Sequence, residues 1–245
     1  FGLRHPNVQL LRRLIGRRSA RIEEGLLVVE GAVLLGEAAA AGWRVVAQVL
    51  APEGEPLPGV GDDLWFLAPE VLEKVADTAT PQPVLGIVER RVASLDSMLK
   101  DGWLLVLDRV ADPGNAGTLI RSAEAAGASA VVVTKGSVDW SSPKTVRSSA
   151  GAVFHVPVIE VDDLGWTVVG TSSHERVGAV SFRDADLSGR VAVVLGNEAH
   201  GMDADASVDT WVSIPHVGRS ESLNVAMAGT LVAFEVARQK LAGAK

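Results

Sequence analysis

The chain has 245 residues, 47% of them apolar, a formal net charge of −7 and no cysteine. The length allows two ordinary domains or one large one, and disulfides and thiolate metal sites are excluded. The five histidines, at positions 5, 155, 174, 200 and 216, have no close helical pairing, so no metal is expected; no apolar run reaches the 18 residues of a membrane span.

The first 21 residues carry six arginines and no acid, and they lack an apolar signal core, so a cytoplasmic protein is expected. Arg12, Arg13, Arg17 and Arg18 could hold phosphates on an otherwise acidic protein; a merely solvated basic helix is the plainer alternative. "LLVVEG" from Leu26 reads as a short strand, "AVLLGEAAAAG" as an alanine-rich helix ended by Gly42, and "VVAQVL" from Val45 as a second strand. "APEGEPLPGVG" is turn-rich, "PEVLEKVAD" is a short helix with Pro69 near its start, and "PVLGIVERR" is another strand. The polar run "ASLDSMLKDG" places a boundary near residues 93–101 and divides the chain into domains 1–95 and 101–245.

The second part alternates more cleanly. Strand 103–108 leads through "RVADPGNAG" into helix "TLIRSAEAAGA", then strand 130–134, helix "SSPKTVRSSAGA" and strand "VFHVPVIE". Strands follow at 167–171, 177–182, 191–196 and 210–215, and a last helix starts near Ser222. Near-continuous valine and leucine strands separated by helices imply an α/β fold with a parallel sheet covered on both faces. Ligands bind at the carboxyl ends of such strands, which directs attention to loops 109–117, 196–203 and 215–224. The acid-free stretch "WSSPKTVRSSAG", with Lys144 and Arg147, is a second candidate for phosphate contact.

Several chemistries lack their motifs. There is no G-x-x-x-x-G-K-[ST], no G-x-G-x-x-G after strand 103–108, and no G-x-S-x-G. Three polar loops remain, and each has a bland reading. Asn115 is a candidate helix cap; Arg121 either pairs with Glu124 one turn on or points into a cleft toward a phosphate or hydroxyl. Asn197 and Glu198 suit a turn and a first helical turn, and Ser220 or Ser222 suits a cap.

Taken together and in order, "NAGTLIRSAEAAGA", "VVLGNEAHGM" and "IPHVGRSESLNVAMAG" resemble the three motifs of the SpoU/TrmH family of S-adenosylmethionine-dependent RNA 2′-O-ribose methyltransferases, within the SPOUT superfamily. The resemblance spans roughly residues 103–240, and "SSPKTVRSSAGAVFHVPV" resembles the segment between the first two motifs. "LLVVEGAVLLGEA" and "VLEKVADTATPQPVLGIV" resemble the L30e-like substrate-binding domain of many members, with Pro83 standing where related sequences often have glycine. The resemblance implies a C-terminal deep trefoil knot, formed by loops 196–203 and 215–224, and a homodimer through the knot region, with "AMAG" (226–229) allowing close helix packing. It implies that Gly196, Ile214 and Leu223 contact S-adenosylmethionine.

A ribose 2′-hydroxyl is a poor nucleophile near neutral pH and must be held in line with the methyl group and partly deprotonated. The family proposal gives this to the motif arginine, here Arg121. An arginine is locked as a cation, so a positioning and electrostatic role is preferred; in a dimer, the site it serves is either its own subunit's or the partner's. Asn115, Glu198, Ser222 and Asn224 match the other polar active-site positions and are expected to orient Arg121 and the ribose. The N-terminal domain points to 23S-type rRNA, in a housekeeping or an antibiotic-resistance role. A tRNA methyltransferase and a catalytically silent RNA-binding paralogue are the alternatives.

Overall fold

In the computed structural model, residues 1–95, 102–161, 165–172, 176–203, 206–220 and 222–243 are described; most of the expected boundary at 93–101 lies outside them. The chain forms two compact units: Phe1–Arg91 with Asp139–His155, and Val92–Val138 with Val156–Lys245. The segment 139–155 therefore groups with the first unit, although it lies within the second span read from the sequence.

The first unit begins with α1 (Pro6–Gly16) and α2 (Arg18–Glu24). Pro6 supplies the helical φ at the first position, and the His5 ring accepts a hydrogen bond from the Asn7 N–H as the cap. Val8, Leu11 and Leu14 recur on one face of α1 and are buried. Next come β1 (Leu26–Glu30), α3 (Ala32–Ala40), β2 (Val45–Leu50), β3 (Asp63–Phe66), α4 (Val71–Val75) and β4 (Val84–Glu89). The sheet order is β1-β4-β2-β3; β4 runs antiparallel to both of its neighbours, and β2 and β3 are parallel. A Cβ at Gly86 would meet the Leu35 side chain at 2.2 Å, so this glycine lets α3 seat on the sheet. Strand β3 is absent from the sequence reading. It is a short edge strand with mostly exposed side chains, so it has no buried pattern to reveal it.

Segment 139–155 is fastened to this unit by a buried ion pair. Arg21 Nε and Nη2 lie 2.8 and 2.6 Å from Asp139 Oδ2, and both residues are under 8% exposed. Arg21 Nη1 also donates to the carbonyls of Leu14 and Ile15, so each of its three nitrogens has an acceptor. Within the segment, α6 (Pro143–Ser148) carries Arg147, which pairs with Glu30 and with Asp77, the latter at 3.2 Å. The expected strand "VFHVPVIE" is instead a 3-10 turn at Ala152–Phe154 and a short strand, β7 (Val158–Glu160).

The second unit contains β5 (Trp103–Leu107), α5 (Pro113–Ala125), β6 (Ala130–Val133), β7, β8 (Thr167–Ser172), β9 (Val180–Ser181), β10 (Val191–Leu195), β11 (Thr210–Ser213) and α7 (Val225–Gly243). Its sheet has the order β7-β6-β5-β10-β8-β11-β9, and every pairing is parallel. Every residue of β5, β6 and β10 is buried, as an all-parallel sheet between helices requires. The order runs from β5 through β6 to β7 on one side, while β10 returns on the other. The carboxyl ends of β5 and β10 thus form a switch point where the following loops diverge. Helix α7 packs on α5 and β10 through Gly229, where a Cβ would lie 2.4 Å from Leu119 and Leu195.

Candidate active site

Loop 109–112 leaves β5 through a strained residue. Arg109 has φ of 56°, a left-handed conformation that non-glycine residues adopt at a cost. It is held on all sides. Its guanidinium pairs with Asp108 at 3.1 Å and Asp203 at 3.0 Å, its N–H donates to Thr134 Oγ1, and its carbonyl accepts from Asn197 Nδ2. Hydrogen bonds to Asp203 and then to Asp108 raise its pKa further above the ordinary guanidinium value.

Helix α5 then starts with Asp112 as its cap: the Asp112 carboxylate accepts the Asn115 N–H at 2.8 Å, and Pro113 follows. Asn115 is therefore not the cap expected from the sequence, but a third-position residue whose side chain is released for another task. Its Nδ2 donates to Glu198 Oε1 at 3.0 Å, and its Oδ1 accepts from Asn224 Nδ2 at 3.0 Å. Glu198 also accepts the backbone N–H groups of Ala111 and Asp112, at 3.0 and 3.1 Å. Partial burial alone would raise the pKa of Glu198. The N–H donors of Ala111, Asn115 and Asp112 outweigh it and hold the carboxyl below its ordinary range.

Asn224 closes the chain of contacts. Its Oδ1 accepts the N–H groups of Ala226 and Met227 at 2.9 and 3.3 Å, so Asn224 caps α7, not Ser220 or Ser222, and the helix begins at Val225. One amide-and-carboxylate network thus ties together the three loops that follow β5, β10 and β11.

The loop after β10 is folded tightly on itself. Asn197 and Gly201 exchange two backbone hydrogen bonds, and Asn197 Oδ1 accepts the N–H groups of Ala199 and His200. A Cβ at Gly196 would lie 2.4 Å from backbone atoms of Gly201 and Met202, so only glycine fits. Beside this loop lies a cavity of about 400 Å³, within the range of small-molecule sites. Gly196, Ile214 and Leu223 all line it, as do Ser222, Glu198 and His216. At its rim the Arg176 guanidinium stacks 3.8 Å above the Trp211 ring, a cation–π arrangement. The apolar Ile214, Leu223 and Leu195, the side-chain-free backbone of Gly196 and a few polar groups suit a flat heteroaromatic ligand with a polar tail.

Arg121 stands apart. It is exposed on α5, does not line the cavity, and forms no ion pair with Glu124 or any other described residue. In the first unit Arg12, Arg17, Arg18 and Lys144 are exposed, Arg13 pairs with Glu24 at 2.6 Å, and Arg147 is half-buried in its pairs with Glu30 and Asp77. Asp112, Arg109, Asp203 and Trp211 were not singled out in the sequence. The Asp-Pro pair is a legible helix-start signal, whereas the long-range partners of Arg109 leave no local trace.

Residues 102–234 match the SpoU rRNA Methylase family, and residues 5–86 match the MRM3-like substrate binding domain. The chain is 31% identical, over 89% of its length and 91% of the relative, to the 23S rRNA (guanosine(2553)-2′-O)-methyltransferase RlmP of Bacillus subtilis. It is 31% identical, over 98% of its length and 92% of the relative, to the 23S rRNA (uridine(2479)-2′-O)-methyltransferase of Streptomyces viridochromogenes. The AdoMet-bound rRNA methyltransferase from Sinorhizobium meliloti superposes with a TM-score of 0.83 at 31% identity, covering 96% of this chain and 95% of that one.

Proposed function

The chain belongs to the SpoU rRNA Methylase family and is an S-adenosylmethionine-dependent RNA 2′-O-ribose methyltransferase; from this premise we propose that its substrate is a loop of 23S-type rRNA and that the cavity beside Gly196 holds the methyl donor. The observation that carries the site is the meeting of Gly196, Ile214 and Leu223 around one cavity, beside a network of Asn115, Glu198 and Asn224. S-adenosylmethionine bound there supplies a methyl group on a sulfonium. The chain's own groups hold the reactants in line and keep water from the reacting atoms.

In this reading Asn115, Glu198 and Asn224 act by position. Their hydrogen-bonding atoms are largely spent on one another and on the starts of α5 and α7. They fix the cavity walls and the helix that bears Arg121. Ser222 is exposed at the cavity and faces the ribose. Arg121, a permanent cation, engages the phosphate next to the target ribose. Its exposure away from the cavity supports its serving the site of a second subunit.

The homodimer is supported by α7, where Met227, Leu231 and Phe234 recur at helical spacing and are each about half exposed, an apolar stripe that a second copy would cover. A trefoil knot through loops 196–203 and 215–224 is supported by strand order. β10 lies inside β8, β11 lies outside it, and α7 returns to pack on α5 and β10. Exposed Arg12, Arg17 and Arg18 with Arg13, and Lys144 with Arg147, are assigned to RNA phosphates. Among the described residues no helix is long and apolar enough to cross a membrane, and the cytoplasm is the proposed place of work.

Two measurements test the reading. Calorimetry is expected to show S-adenosylmethionine binding to the folded protein. Mass-spectrometric mapping of 2′-O-methyl groups in 23S rRNA, with and without the gene, is expected to show one site lost. Absence of both results would sink it.

A further inference from the structure

The methyl transfer releases a proton, and the groups assigned so far do not take it. Arg121 cannot give up its own proton to become a base. Among the described residues, the ionisable side chains lining the cavity are Arg176, Glu198, His200 and His216. Arg176 is excluded on the same ground as Arg121. Glu198 is held as a carboxylate by three N–H donors, which makes it a weak acceptor. That leaves two imidazoles, and a neutral imidazole carries one ring nitrogen that can accept a proton.

The two histidines differ in their surroundings. His200 sits in the closed turn 197–201, with Nδ1 3.1 Å from Asn197 Oδ1. His216 follows Ile214 and Pro215 in the loop that also carries Ser222 and Leu223, and no hydrogen bond or ion pair engages its ring among the described residues. It is exposed and lines the cavity, so its ring can be reached by a substrate.

We propose that His216 accepts the proton of the ribose 2′-hydroxyl as the oxygen attacks the methyl group. This rests on the methyltransferase reading given above. The O–H bond breaks toward the imidazole, the O–CH3 bond forms, and the S–CH3 bond of the sulfonium breaks to leave a neutral thioether. The imidazolium then loses its proton to water. The charged or titratable side chains that line the cavity with His216 are Arg176, which follows β8, and Glu198 and His200 in the loop after β10; on the reading above, Arg121 of a second subunit joins them.

The test uses the full chain, a 23S rRNA transcript made in vitro and tritium-labelled S-adenosylmethionine, with single-turnover rates measured across pH. The wild-type rate is expected to fall on acidification. His216→Asn should bind the donor unchanged, lose about 10²–10⁴-fold in rate and lose that acidic limb. Added imidazole should restore part of the His216→Ala rate, and His200→Asn should keep the limb. A His216→Asn enzyme that is near wild-type in rate, or that retains the limb, overturns the assignment while the methyltransferase reading stands. A wild type that neither binds the donor nor methylates the transcript overturns both.

Discussion

At the scale of single residues, Glu198 shows how one carboxylate can tie two loops together. Three N–H groups converge on its carboxylate and hold its pKa down against the opposing effect of burial. A depressed folded-state pKa means that the charged form stabilises the fold. This stabilisation is present above the unfolded-state value and is lost as pH falls through the folded one. Glu198→Gln places an N–H₂ group against at least one of those donors. The variant should melt earlier at neutral pH, by about 1 kcal/mol after allowing for solvent screening. It should also lose less stability than wild type between pH 7 and pH 4. Parallel melting curves for the two proteins would contradict this. Asn115, Glu198 and Asn224 were legible in the sequence as motif positions; their mutual bonds were not, because Asn115 also suited a cap and Glu198 a first helical turn, and nothing local links either to Asn224. The Arg121–Glu124 pair allowed by helical spacing does not form, since spacing permits a pair without requiring one.

At the scale of elements, the loop after β10 is decided by backbone proximity. The missing side chain of Gly196 is replaced by the backbone of Gly201 and Met202 at 2.4 Å, and a peptide group cannot swing away as a side-chain tip can. Gly196→Ala must therefore push the 197–201 turn out of place, and with it Asn197's bond to the Arg109 carbonyl. The cost is expected to be about 1–3 kcal/mol in stability, as for other overpacked sites. Calorimetry should show donor affinity falling at least tenfold, since the displaced turn is a cavity wall. Unchanged affinity would show that the wall yields. The strands were read from the sequence where burial was continuous, as in β5, β6 and β10. They were missed or overdrawn where it was not. β3 has exposed side chains, and of the expected strand 177–182 only Val180–Ser181 pairs in the sheet.

At the scale of the whole molecule, local pattern gives way to distant pairs. Nothing near Asp139 announces that it is paired with Arg21 across 118 positions, yet that bond helps draw segment 139–155 into the first unit. Nor does any periodicity say whether Arg121 works on its own cavity or another's. Its exposed place on α5 and the apolar stripe of Met227, Leu231 and Phe234 argue for the second copy. Mixing two inactive proteins decides the question. Arg121→Ala keeps its cavity and lacks the cation; Gly196→Ala keeps the cation and has a spoiled cavity. If the cation crosses between subunits, a mixed dimer has one intact pair of cavity and arginine. Random exchange of equal amounts should then restore about a quarter of the wild-type rate, because half of the dimers are mixed and each has one working site of two. If both groups act within one chain, every site lacks one of them and the mixture stays as inactive as its parts. Light scattering on the same samples fixes the mass of the species compared, so that a monomeric protein, for which no restoration is possible, is seen directly.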